Sequence, residues 1–456
     1  MAPTSDMTVG SPTRRILLFA LPLIGGNLLQ QLYTVVDAII VGRFLGVGAL
    51  AAVGASWAVM FLIMGFCIGA CAGFAIPVAQ AFGAHDHALM RRHVACSLRL
   101  AAIISLTITA VTTLLCRHIL LLVRTPADIM ADAHTFFLLQ LLSIPFIIAY
   151  NILASLLRAV GNSRQPFYYL IIASMLNIVL AVVFIVFMGM GVAGVGLATM
   201  ISQAAAALAC MAYIRRRATL LIPRRGEWRR EVGETYHILA NGVPMGLQFS
   251  ITGIGIIMLQ TANNSLGTTY VAAFTASMRV KYLFTCVFEN IGAAMATYCG
   301  QNIGARRLDR VGRGLRSALL LSMAYFIITA LIIQPFADDI MSLFVESGNE
   351  AVTSNAAMLM RIACWFYPAL GILTVMRYSI QGLGWSRLAV CSGVMEMFAR
   401  GAVSLWLVPS IHYLGVCYGD PVAWLAADCF LIPTIAWLYL KGIPKQLQQA
   451  EGLQGL

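Results

Sequence analysis

Twelve stretches of this chain stay apolar for about 20 residues or more, and no other feature limits its fold as strongly. They lie near 16–41, 50–80, 94–123, 131–157, 166–188, 192–214, 236–263, 270–299, 315–336, 355–381, 388–409 and 420–440. A helix of about 20 apolar residues crosses the hydrocarbon core of a bilayer. The runs are continuously apolar rather than alternating, so they predict helices and not the strands of a barrel. Only 11% of the 456 residues are charged, too few to cover a water-soluble globule of this size. The first run follows the polar MAPTSDMTVGSPTRR and is 26 residues long, with no small-residue cleavage motif after it. It reads as a retained span, because the apolar part of a signal peptide is about 7–15 residues.

Arginine sets the expected orientation. Of the 30 Lys and Arg residues, 21 fall in loops on one side. They are Arg14, Arg15, Arg91, Arg92, Arg158, Arg164, the seven arginines between 215 and 230, Arg306, Arg307, Arg310, Arg313, Arg316, Arg387, Lys441 and Lys445. The opposite loops hold Arg43, Arg117 and Arg124 together with Asp338, Asp339, Glu346 and Glu350. Positive loops stay inside, so both termini are expected in the cytoplasm. The net charge of +12 is thereby an orientation signal spread over short loops, which argues against nucleic acid as a partner.

The chain also resembles itself. Pro22 in ALPLIGG answers to Pro244 in GVPMG, LAAVGAS (50–56) to VAAFTAS (271–277), QAFGA (80–84) to QNIGA (301–305), and GNSR (161–164) to GWSR (384–387), at offsets of 221 to 223. Four matches in order at one offset indicate a duplication. Each half holds six spans, so both point the same way, with a substrate site expected between the repeats. The expected division is 1–214 as a first lobe, 215–235 as a cytoplasmic linker and 236–456 as a second lobe. The linker carries seven arginines and three glutamates and suits a strap near anionic lipid.

Asp37 is the acid of the first span. At 100° per residue, Asn27, Gln30, Gln31, Tyr33, Thr34 and Asp37 share an arc of about 160°. A polar stripe on an otherwise apolar helix is expected to face a cavity. Asn27, Gln30, Tyr33 and Thr34 are therefore substrate-cavity candidates, and Gln248 is counted with them from the second half. Desolvation favours the protonated form of a carboxylate, and protonation removes the cost of the charge, which is a physical basis for coupling. The alternative is that Asp37 lies near the helix end and only reaches for water. Pro22 and Pro244 each remove a helix hydrogen bond at matching places and are candidate hinges.

The second half carries more intramembrane charge: Glu289, Arg361, Arg377, Glu396, Arg400 and Asp428. Three acids against three bases predict a neutralising network, with Glu396 and Arg400 paired at i, i+4. The sharper reading has Glu289 or Asp428 titrating or drawing in a cation. The eleven cysteines lie in apolar runs and read as packing residues, and no metal site is expected. There is no phosphate-binding G-x-x-x-x-G-K-[ST], no H-E-x-x-H and no G-x-S-x-G, so neither nucleotide hydrolysis nor a common hydrolase is indicated.

LPLIGGNLLQQLYTVVDAIIVGRFLG, GASW, AQAFGA, QNIGA, LRAVGNSRQP and IQGLGWSR together resemble the bacterial multidrug and toxic compound extrusion (MATE) transporters over nearly the whole chain. The resemblance implies an all-α integral membrane fold of twelve helices in two six-helix lobes splayed as a V. It implies secondary active export of amphipathic, often cationic compounds by alternating access, with H⁺ or Na⁺ as coupling ion and no other cofactor. It places Asp37 as the ion-coupling acid and Pro22 at a bend. Relatives of the proton-coupled kind carry N-x-x-L-D in span 5; here Asn177 is present and Ala181 stands in place of the aspartate. The sodium-type acids of spans 7 and 10 are missing. The expected setting is a multi-pass monomer in a bacterial inner membrane, with small-molecule substrates. The alternative within the same superfamily is a flippase for lipid or lipid-linked oligosaccharide.

Overall fold

A computed structural model of the protein describes residues 6–229, 231–345 and 348–442. Arg230, Glu346 and Lys445, used above for orientation, lie outside the described residues. The described chain is almost entirely helical. Its helices are α1 (Pro12–Ala55), α2 (Trp57–Gly83), α3 (His87–Leu114), α4 (Cys116–Leu122), α5 (Met130–Ala159), α6 (Arg164–Val182), α7 (Val192–Arg217), α8 (Val232–Asn264) and α9 (Thr268–Gly304). Then follow α10 (Leu308–Ser342), α11 (Glu350–Trp365), α12 (Tyr367–Gly382), α13 (Ser386–Ala402), α14 (Val408–Ile411), α15 (Tyr413–Cys417) and α16 (Gly419–Trp437).

Among the described residues eleven helices are long and apolar enough to cross a membrane, and α11 with α12, bent by 55°, makes a twelfth when the pair is taken as one span. The bend has a local cause. Pro368 has no N–H to bond the carbonyl four residues back and its ring crowds that carbonyl, so the helix breaks at Phe366 and restarts at Tyr367 with proline in its first turn. The first crossing ends at Gly46, whose φ of 87° is open to glycine. Large apolar side chains such as Leu114, Leu122, Phe187 and Trp406 are exposed. In a bilayer the acyl chains are their partner.

The helices fall into two compact units, one of Leu21–Gly246 and one of Met7–Ala20 with Leu247 to the end of the described chain. The divisions cut α1 and α8 close to Pro22 and Pro244. In the first unit α2 and α8 touch backbone to backbone: a Cβ on Gly73 would lie 2.6 Å from Gly242 Cα. Small residues let helices approach where lipid gives no hydrophobic drive to associate.

The segment between α7 and α8 is bound to α3. Arg91 places Nε 2.8 and 2.9 Å from the two carboxylate oxygens of Glu227, and Arg92 pairs with Glu231 and Glu234 at 3.2 Å each. The hydrogen bond from Arg91 holds the Glu227 carboxyl below its ordinary value, helped by the backbone N–H of Arg224. In the second unit the N-terminal segment is gripped in the same manner. Arg310 donates to Asn302 Oδ1, Met7 O and Gly10 O at 3.0, 3.1 and 3.0 Å, and the Met7 N–H donates to Gln301 Oε1 at 2.9 Å.

Candidate functional site

Asp37 lies on α1 in the first unit, half-buried, opposite α6. Gly25 and Gly26 bring α6 close, with the Phe167 and Leu170 side chains 3.1 and 3.3 Å from where their Cβ atoms would be. With its amide turned so that both ends are satisfied, Asn177 on α6 places Nδ2 3.1 Å from Oδ1 and 3.1 Å from Oδ2 of Asp37. Its own carbonyl then accepts from the Thr199 backbone N–H on α7 at 3.2 Å. One amide thus ties the acid to two neighbouring helices. Asn177 is 2% exposed, so its polar atoms depend on these partners.

The position where a second acid was sought is occupied by fully buried Ala181, packed in an apolar cluster with Ile40, Val41 and Ala198. Asp37 therefore has no second carboxylate there. On the same helix, Asn27 and Tyr33 are half-buried while Gln30 and Thr34 are exposed. The Thr34 hydroxyl donates to the Gln30 carbonyl at 2.9 Å, and Tyr33 interacts electrostatically with Asp37. The remaining cavity candidate, Gln248, is 3% exposed in the second unit and accepts from Gln381 Nε2 at 2.8 Å.

The second unit contains a continuous chain of ion pairs. Lys281 on α9 pairs with Asp420 on α16. Asp420 Oδ1 accepts from Arg400 Nε on α13 at 2.9 Å, and Arg400 reaches Glu396 at 3.3 Å. Glu396 in turn meets Arg377 of α12 at 2.6 Å, which lies 3.5 Å from Glu289 on α9. Tyr378 completes the run by donating to Glu289 Oε2 at 3.2 Å. Three bases face three acids, so the chain is neutral. Five of the six charges are under 10% exposed, and Glu289 is half-buried.

Four of the six expected network residues are therefore together: Glu289, Arg377, Glu396 and Arg400. Arg361 is not among them. Its guanidinium turns to α10, to the Asp338 carboxylate at 2.5 Å and the Gln334 carbonyl at 3.2 Å. Asp428 on α16 is also outside the chain of pairs: it is 5% exposed and its Oδ1 has no hydrogen-bond partner. Lys281 and Asp420 take the two places instead. Lys281 could have been found, since it interrupts the apolar run 270–299; Asp420 begins its run and reads as a helix-end charge.

The family model MatE matches this chain twice, over residues 22–183 and 244–403. The two matches begin at Pro22 and Pro244. A Bacillus subtilis (strain 168) protein named "Probable multidrug resistance protein YpnP" is 28% identical over 405 residues, covering 88% of either chain. Another from the same organism, "Probable multidrug resistance protein YoeA", is 26% identical over 432 residues and 92% of either chain. Among solved structures, one described as the outward-facing conformation of a multidrug resistance MATE family transporter of the MOP superfamily superposes with a TM-score of 0.90 at 21% identity, covering 97% of this chain and 99% of that one. A crystal structure of MATE in the bent conformation gives 0.88 at 21% identity over 98% and 99%.

Proposed function

Since the chain belongs to the MatE family, whose members are transporters rather than enzymes, we propose that it exports amphipathic, cationic small molecules in exchange for protons by alternating access. The observation that carries this reading is the Asp37–Asn177 pair, a half-buried carboxylate held by one neutral donor rather than by an arginine. An acid neutralised by an ion pair cannot easily give up its charge. One held by an amide can take up a proton and so release a cationic substrate, or give up the proton and attract one.

The same geometry favours H⁺ over Na⁺. Both carboxylate oxygens of Asp37 meet an N–H donor, and the amide oxygen of Asn177 is engaged by Thr199. A metal cation at that edge would face the positive end of the amide instead of a ring of oxygens. Pro22 and Pro244, inside α1 and α8, would be the hinges. The arginine-rich loops support cytoplasmic termini in a bacterial inner membrane. The relatives' names as multidrug resistance proteins support the substrate class.

The test is transport in proteoliposomes under an imposed pH or sodium gradient, with a cationic dye as cargo. Wild type should move dye under the pH gradient, and Asp37→Asn should not. Equal export by the variant removes the coupling role. Dye movement driven only by sodium reassigns the ion. Failure of both gradients, with lipid-linked sugars crossing, replaces the reading with a flippase.

A further inference from the structure

The bend between α11 and α12 leaves a groove of about 590 Å³ against α16, within the second unit. Its walls are apolar, with Trp365, Phe366, Ile372, Leu425 and Ile432 among them. The single acid lining it is Asp428. That carboxylate is 95% removed from contact with solvent and its Oδ1 has no hydrogen-bond partner. It sits nine residues into α16, about 13 Å along the helix at 1.5 Å per residue. An uncompensated acid at such depth is expensive, and a polar group there that the fold does not satisfy points to a ligand.

The sign of the ligand follows from the neighbouring charges. The charged groups whose fields reach Asp428 are Arg377 and Glu396, and these are bound to each other at 2.6 Å within the neutral chain of pairs. No base is left over in that chain for Asp428. The acid left over in this part of the unit is Asp428, which carries one negative charge when deprotonated. Around it stand Trp365, more than half exposed, and Phe366, rings that attract a cation through their faces. The volume lies within the usual range for small-molecule sites, about 300–1,000 Å³, and the mostly apolar lining with one convergent charge matches their chemistry.

We propose that this groove is a binding site for one lipophilic organic cation, a quaternary ammonium or phosphonium with aromatic or branched apolar substituents, held by Asp428 and Trp365. It is separate from the Asp37 site and does not depend on the role given to that residue. A molecule of this kind partitions into the bilayer and reaches the groove laterally, through the face where Leu425, Cys429 and Ile432 are exposed. Leu425, Asp428, Cys429 and Ile432 follow the i, i+3, i+4, i+7 spacing of one helix face, so the exposed stripe and the buried acid belong to one surface.

The experiment measures equilibrium binding of radiolabelled tetraphenylphosphonium to the full chain in nanodiscs of phosphatidylcholine and phosphatidylglycerol. Triphenylphosphine oxide is the uncharged counterpart. The background is Asp37→Asn, so that the first-unit carboxylate is absent and the outcome is independent of its function. In that background a saturable site for the cation should remain. Adding Asp428→Asn should weaken it by about tenfold or more, and should leave the neutral oxide unchanged. Leu425→Trp, at an exposed position that leaves the acid in place, should obstruct the groove and weaken both. Size-exclusion profiles of the variants report whether they remain folded, and Leu425→Trp keeps the test valid if Asp428→Asn does not. Equal affinity for the cation with and without Asp428 overturns the proposal. So does loss of cation binding when phosphatidylethanolamine is added to the nanodiscs, because the occupant would then be a lipid amine.

Discussion

With the Asn177 amide on α6 turned so that both of its ends are satisfied, its nitrogen lies 3.1 Å from each carboxylate oxygen of Asp37 on α1. These residues are 140 positions apart in sequence. Their meeting joins two helices of the first unit at the acid on which coupling is proposed to depend. A hydrogen bond to a charged group contributes about 1.5–3 kcal/mol. Asn177→Ala is therefore expected to slow gradient-driven dye export by about tenfold to a hundredfold. Binding of an uncharged analogue should stay near wild type. Initial rates in proteoliposomes measure the first quantity, and equilibrium binding the second.

The ion-pair chain of the second unit should behave as a structural element. Asp420 accepts from both Lys281 and Arg400. Removing it leaves buried Lys281 without its carboxylate and takes from Arg400 one of its two, and breaking a buried pair costs about 3–5 kcal/mol. Asp420→Asn should thus lower the unfolding temperature in detergent well below that of wild type. Replacing Lys281 and Asp420 together, by Met and Leu, removes one base and one acid and keeps the rest neutral. That double variant should be more stable than Asp420→Asn alone, which differential scanning fluorimetry reads directly.

The segment between α7 and α8 gives a pH dependence outside the membrane. The Glu227 carboxyl is held below its ordinary value, first by the hydrogen bond from Arg91. A carboxylate lowered on folding stabilises above its unfolded pKa, about 4.3, and loses that contribution as pH falls through its folded value. The hydrogen-exchange protection of residues 224–228, measured against the intrinsic rate at each pH, should hold from neutral pH down to the ordinary carboxylate range and fall once the pH drops below it. Glu227→Gln should show the lower protection already at neutral pH.

Arg310 fixes the N-terminal segment through two backbone carbonyls, those of Met7 and Gly10. Arg310→Ala leaves both without this donor, at about 1–3 kcal/mol for each one that stays buried. Tryptic cleavage after Arg14 and Arg15 should accelerate in this variant, while cleavage in the 215–229 segment of the first unit should keep its wild-type rate.

Much of the architecture was legible in the residues themselves. The apolar runs marked the crossings, and the paired prolines marked the duplication that the family model also finds twice; the break inside the run 355–381 was not read from it. The exact partners were not legible, because they depend on contacts between distant segments. Lys281 and Asp420 are 139 residues apart, and nothing near either names the other. Asp420 reads as a helix-end charge, yet α9 and α13 enclose it. Arg361 reads as a member of the network, yet Asp338 near the end of α10 is in reach and takes it. Asp37 announced itself by a polar stripe, whereas Asn177 entered only through resemblance to relatives.

The central claim is that Asp37 exchanges a proton for a cationic substrate. Proton release on binding tests it most directly: purified protein in weakly buffered solution near neutral pH, titrated with tetraphenylphosphonium while a pH indicator is read. Wild type should release protons as the cation binds, and Asp37→Asn should release markedly fewer although cation binds elsewhere. Equal release from both proteins, or none from either while the cation binds, would contradict the account.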